Sequence, residues 1–146
     1  MTIGEKITQR RLAAHLSQEI LAERLGVSIL ETHLQDASQP VPAWRGAMDV
    51  VLADVPCSNT GVFRRRPDAL WRFGAAELRK ITVLQHSILD AAAARVAPGG
   101  QLVYSTCSIE PEENEQQAER FLAEHPDFTR MASEQLLPSV ESDGAY

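Results

Sequence analysis

Cysteine is scarce in this sequence: 146 residues hold two, Cys57 and Cys107. They form no Cys-x-x-Cys redox pair. The four histidines, His15, His33, His86 and His125, do not fall near them. A zinc site needs ligand pairs at close spacing, and none is read here, so no metal is expected. Glycine-rich phosphate loops are missing too. Neither G-x-G-x-x-G nor a Walker loop occurs, which excludes a simple dinucleotide fingerprint and a P-loop NTPase. No apolar run approaches the ~20 residues of a membrane span, and the N-terminus has no signal-peptide pattern. A cytoplasmic protein without membrane contact is the expectation, with its cysteines as free thiols.

What remains is an ordinary globular composition, 44% hydrophobic and 23% charged. The length suits one domain or part of one, burying roughly two-thirds of its unfolded surface. Net charge is −6, which argues against a protein that coats nucleic acid. The charge is uneven, however. Gly61 to Lys80 carries five arginines and one lysine against Asp68 and Glu77, a basic segment on an acidic body. Such a segment suits a local anionic contact, or is a solvated loop and helix start.

Strand-like and helix-like stretches alternate. Thr8 to Leu25 has apolar residues at helical spacing, with Gly26 as a stop. Val27 to Leu34 reads as a short strand ending near Asp36. Met48 to Val55 is a compact apolar run, as in a strand buried on both faces. Glu77 to Val96 is an amphipathic helix, closed by the turn Ala97-Pro98-Gly99-Gly100. Gln101 to Thr106 is a second buried strand, Pro111 to His125 a second helix, and Phe128 to Met131 a further strand. This order predicts an α/β fold with an open, mostly parallel sheet flanked by helices. Ligands gather at the carboxyl ends of strands in such sheets. Asp36, Asp54–Cys57 and Ser105–Cys107 are expected on one such rim.

A thiol at that rim becomes a nucleophile once its pKa is lowered. Cys107 stands just ahead of a predicted helix start, where the dipole and nearby arginines favour thiolate. Asp54 is a strand-end carboxylate whose charge state depends on burial. Two thiols and a carboxylate around one pocket suit addition to an electron-poor ring. Equally, cysteines are among the most buried and inert residue types, and spacing alone leaves both possibilities open.

MDVVLADVPCSNTGVFRRRPDALWR, the helix with LQHSILDAAA, and APGGQLVYSTCSIEPEENE together resemble the RNA (cytosine-5)-methyltransferase family, the Nol1/Nop2/Sun group, in its bacterial RsmB/Sun-like branch. The likeness runs from about Arg11 to Phe128. It implies the class I S-adenosylmethionine-dependent methyltransferase fold, an open Rossmann-like sheet. It also implies methylation of cytosine carbon 5 in RNA, in rRNA processing, with S-adenosyl-L-methionine as cofactor. By resemblance Cys107 is the nucleophile that attacks carbon 6, and Cys57 assists release of the product. Asp54 holds the base edge and contacts the cofactor, and Asp36 contacts its adenosine. Arg64, Arg65 and Arg66 are natural phosphate contacts for an RNA partner, and the target cytosine must be unstacked to enter. The Thr-Cys-Ser motif at Cys107 speaks against a DNA cytosine methyltransferase.

There are departures from the family pattern. Its glycine-rich cofactor loop is expected upstream of this segment. Lys6 stands about where an acidic cofactor ligand is expected, with Glu5 as the substitute. Ser142 to Tyr146 resembles the start of the family's closing hairpin. The expectation is a partial catalytic domain over residues 1–146, incomplete at both ends of the sheet. A split enzyme whose partner chain supplies the N-terminal part, or a non-catalytic remnant that keeps an RNA-binding or interaction surface, would fit the same pattern.

Overall fold

The computed structural model describes residues 33–146. The expected helix over Thr8–Leu25, the cofactor residue Glu5, and most of the strand over Val27–Leu34 lie outside them. The compact unit considered below is Asp36–Tyr146.

A single-turn 3-10 helix at Pro42–Trp44 leads into strand β1, Met48–Asp54. A second 3-10 turn, Thr60–Val62, precedes the short helix α1, Pro67–Arg72, with proline at its first turn. Helix α2, Ala75–Ala93, then crosses to strand β2, Val96–Ser105, and helix α3 spans Glu115–Glu124. β1 and β2 pair in parallel, from Val50 opposite Gln101 to Asp54 opposite Ser105. Parallel neighbours need a crossover connection, and α2 supplies it.

The apolar stripe of α2 covers one face of this pair. Ala53, Val55, Ile88 and Ala92 form a buried cluster, with Val51, Leu102 and Tyr104 packed against it. A second cluster joins Leu89 and Ala93 to Phe121 of α3. Sequence predicts strands buried on both faces, and here the structure differs. Val50 and Leu52 are 60% and 66% exposed, alternating with the partly buried Val51 and the buried Ala53, so among the described residues it is the α2 face that is covered.

Element ends also shift. The helix expected to reach Val96 stops at Ala93. The backbone after it is claimed by the approach to β1: Gly46 N–H donates to Ala94 O (2.9 Å) and Met48 N–H to Arg95 O (2.9 Å). The Ala97–Gly100 turn becomes an irregularity inside β2, with Gly99 at φ +80°. α3 starts at Glu115, not Pro111, and the Glu113 carbonyl accepts the Tyr104 hydroxyl (2.6 Å) instead. Phe128–Met131 is not a strand. Phe128 turns back onto Phe121, the ring centroids 5.3 Å apart. Among the described residues no helix is long and apolar enough to cross a membrane.

Candidate active site

The loops that leave the carboxyl ends of β1 and β2 run side by side. Val55 N–H donates to Ser105 O (3.1 Å), Gly61 N–H to Cys107 O (3.0 Å) and Ile109 N–H to the Thr60 hydroxyl (3.0 Å). This pairing brings Cys57 and Cys107 together, with their sulfurs 3.2 Å apart. Asn59 closes the arrangement. Its Oδ1 accepts from the Cys107 thiol (3.1 Å) while its Nδ2 donates to Cys57 O (2.9 Å). Asn59 sits at φ 63°, a left-handed conformation that asparagine tolerates better than most residues.

Beneath the thiols lies Glu113, with no solvent exposure. Its carboxylate accepts from Ser58 N–H (2.9 Å), the Ser58 hydroxyl, Gln85 Nε2 (2.8 Å) and the Ser108 hydroxyl (2.6 Å). Ser58 and Ser108 each follow one of the cysteines, so a single buried charge gathers both loops onto α2. Gln85 also donates to Pro56 O (3.0 Å). On the far side, the Thr106 hydroxyl donates to Asn114 Oδ1 (2.7 Å) and Asn114 Nδ2 to Ser108 O (2.9 Å). A buried charge persists only when its lone pairs are met this fully.

The chain's last residues brace the same loops. Tyr146 and Thr106 exchange both backbone hydrogen bonds at 3.0 Å, and Gly144 N–H donates to Gly61 O (2.8 Å). A Cβ at Gly61 would stand 2.6 Å from Gly144 O and 2.9 Å from Cys107 O. Only glycine fits that approach.

The protonation of the pair differs from the expectation. Cys107 is not beside a helix start, since α3 begins at Glu115. Arg64 and Arg65 are turned toward Asp143, at 3.6 and 2.9 Å. The hydrogen bond between the two sulfurs, together with burial, holds the Cys107 pKa above the ordinary thiol value. The same hydrogen bond, opposed by burial, lowers Cys57 to about 7. The two shifts run in opposite directions, so as pH rises the first proton of the pair leaves Cys57 in preference to Cys107.

The other expected residues fall as follows. Asp54, at the end of β1, accepts from the Ser105 hydroxyl (3.2 Å) and is otherwise open to solvent. Asp36 is exposed in a turn in which Ser38 N–H and hydroxyl both bond one carboxylate oxygen, holding its pKa below the usual carboxylate range. Three residues on, Gln39 O accepts from Arg95, just ahead of β2 and at the opposite end of that strand from Ser105. The structure therefore joins two of the three expected strand-end segments. Arg66 pairs with Asp68 (3.3 Å) and lines a cavity of about 660 Å³ that opens beside Cys57.

Glu113, Gln85 and Asn59 were not anticipated. Gln85 did leave a signal, as a polar residue inside the apolar stripe that runs from Ile81 to Ala92. No ligand pair at close spacing is read above from the sequence, yet His86 and Asp90 stand one helical turn apart. Among the described residues they meet Glu124, with ligand atoms all within 4.8 Å of one another, and His125 bonds Asp90 at 3.0 Å. This cluster lies between α2 and α3.

The family described as 16S rRNA methyltransferase RsmB/F matches residues 5–142. The chain belongs to this family. Among curated relatives, the ribosomal RNA small subunit methyltransferase B of Vibrio vulnificus is 39% identical to it, covering 99% of this chain and 37% of its own length. The chain thus spans little more than a third of that relative. The RsmB/F assignment extends to solved structures. PH0851 superposes with a TM-score of 0.76 at 28% identity, over 88% of this chain and 34% of its own. A methyltransferase homologue from Pyrococcus horikoshii gives 0.66 at 25%, over 94% and 48%. NSun6 from the same organism, solved with SFG, gives 0.52 at 28%, over 74% and 29%. The parallel strand pair, its crossover helix and the strand-end loops are accordingly part of a class I methyltransferase fold.

Proposed function

We propose that this RsmB/F-family chain takes part in methylating carbon 5 of a cytosine in ribosomal RNA through a covalent cysteine adduct. The observation that carries this reading is the thiol pair, its sulfurs 3.2 Å apart, at the ends of two parallel strands. A lone thiol near its ordinary pKa is a poor nucleophile at neutral pH. Here Cys57, lowered to about 7, supplies the base. As the Cys107 sulfur bonds to carbon 6 of the ring, its proton passes to Cys57, and the displaced electron pair makes carbon 5 nucleophilic. Asp54 accepts a hydrogen bond from the amino edge of the base. After the methyl group is in place, carbon 5 loses its proton to solvent, the carbon–sulfur bond breaks, and Cys57 returns the proton to the departing Cys107 sulfur.

The methyl group is an electrophile that S-adenosyl-L-methionine supplies when bound. Of the described residues, Asp54 is assigned to hold it, since Asp36 lies toward the other end of β2 and does not reach this rim. Asp54 is exposed and keeps one carboxylate oxygen free of the bond to Ser105, which suits amine and ribose hydroxyl donors.

The test is trapping with S-adenosylmethionine and single-stranded RNA carrying 5-fluorocytosine, whose fluorine blocks the final proton loss. Wild type accumulates a covalent RNA adduct, Cys57→Ser reaches the same adduct more slowly for want of its base, and Cys107→Ser forms none. An adduct on Cys107→Ser but not on Cys57→Ser would reverse the assignment.

A further inference from the structure

Resting on the reading above, we infer that the cavity beside Cys57 is a subsite for the nucleotide next to the target cytosine. In this assignment Phe73 stacks that nucleotide's base, and Arg66 and Arg72 hold its phosphate. The cavity, about 660 Å³, falls within the range of roughly 300–1,000 Å³ typical of sites for small organic groups. It starts at Cys57, Ser58 and Asn59 and runs outward to Phe73 and the first turns of α2. Neither Cys107 nor Asp54 lines it. The reacting cytosine must reach both, so this space is adjacent to the reacting base rather than its seat.

The lining suits a nucleotide. Phe73 is 39% exposed, and Phe63 supports its ring edge-on, the centroids 6.2 Å apart. Arg66 and Arg72 both pair with Asp68, so one carboxylate balances two guanidinium groups. Each of the two arginines is more than half exposed. Glu77, also in the lining, is paired with Lys80 at 2.7 Å. The net charge of this group is positive. An aromatic face beside unspent guanidinium donors, one step from a nucleophile for a base, is the combination by which proteins hold unstacked single strands. Arg64 and Arg65 share Asp143 in the same manner but do not line this cavity, so its phosphate contacts fall to Arg66 and Arg72.

The experiment measures affinity of the whole chain for a short fluorescent single-stranded RNA with 5-fluorocytosine at its centre. A second RNA lacks the base at one neighbouring position, and a third lacks it at the other. Phe73→Ala weakens binding roughly fivefold or more, in line with loss of one stacked base. Removing one neighbouring base weakens wild type equally but leaves Phe73→Ala unchanged. Arg72→Ala lowers affinity for all three RNAs alike and reduces the salt slope by about one. If wild type binds RNA and forms the adduct, yet Phe73→Ala responds to neither missing base and binds as wild type, the subsite is wrong and the reaction stands. If wild type neither binds RNA nor forms the adduct, the proposed reaction fails and the subsite with it.

Discussion

Glu113 and Gln85, neither with any solvent-accessible surface, share a 2.8 Å hydrogen bond beneath the two cysteine loops. Glu113 belongs to the segment after β2 and Gln85 to the middle of α2, so the bond fastens the rim to the crossover helix. Glu113→Ala leaves Ser58, Ser108 and Gln85 donors without their acceptor in a dry site. Donors to a charged group contribute about 1.5–3 kcal/mol each, and some will find other partners. The expected loss in urea denaturation is about 3 kcal/mol. Glu113→Gln keeps the shape but turns one acceptor into a donor facing donors, so it also destabilises, by less. A melt unchanged by both variants would refute this role.

The opposed shifts of the two thiols predict a pH profile. With Cys57 lowered to about 7, alkylation of the native protein by iodoacetamide should rise with a first inflection near that pH, and label Cys57 first. The largest cause of the lowering is the hydrogen bond with Cys107, so Cys107→Ala removes it and moves the inflection upward. Alkylation that begins on Cys107, or an inflection indifferent to Cys107→Ala, contradicts the arrangement.

Two sulfurs at 3.2 Å also predict an oxidation product. Hydrogen peroxide converts the Cys57 thiolate to a sulfenic acid and releases hydroxide. The Cys107 thiol then displaces water to give a disulfide. Mass spectrometry should show a loss of about 2 Da, reversed by dithiothreitol. Either single Cys→Ser variant instead gains oxygen and shows no such loss.

Gly61→Ala forces a methyl group against the backbone of Gly144 and Cys107, where no side chain can rotate away. Overpacking of this kind costs about 1–3 kcal/mol, and the strain falls on the Cys107 loop. Gly74 is the contrasting case, since it caps α2 at φ −178° with nothing within 4 Å of a Cβ. Gly74→Ser should be neutral or stabilising, because serine can cap the free amides there. Thermal melts of the two variants should separate clearly.

Much of this fold could be read from the residues, and the reasons are local. The apolar run Met48–Val55 and the stripe from Leu78 to Ala92 set strand and helix by periodicity. Their alternation points to a parallel pair, and the Pro-Cys-Ser and Thr-Cys-Ser segments lie on one rim as expected. What escaped the sequence depends on partners distant along the chain. Whether Val50 and Leu52 are covered depends on which faces have neighbours, not on their own pattern. The helix after Cys107 begins late because Tyr104 takes the Glu113 carbonyl. The proton's place depends on Asn59 and Cys57, reached across the fold. His86 and Asp90, one turn apart, were legible as a pair, but Glu124 joins them only through packing.

The thiol pair spans 50 residues of chain, the Ser58–Glu113 bonds 55, and the Arg64–Val140 bond 76. Loops of that length must close before any of these contacts stabilises anything. The β1–β2 pairing has the same span, so the thiol pair forms only together with the central strands. The shifted pKa of Cys57 depends on contacts that exist only while the rim is closed, so this thiol serves as a built-in gauge of folding.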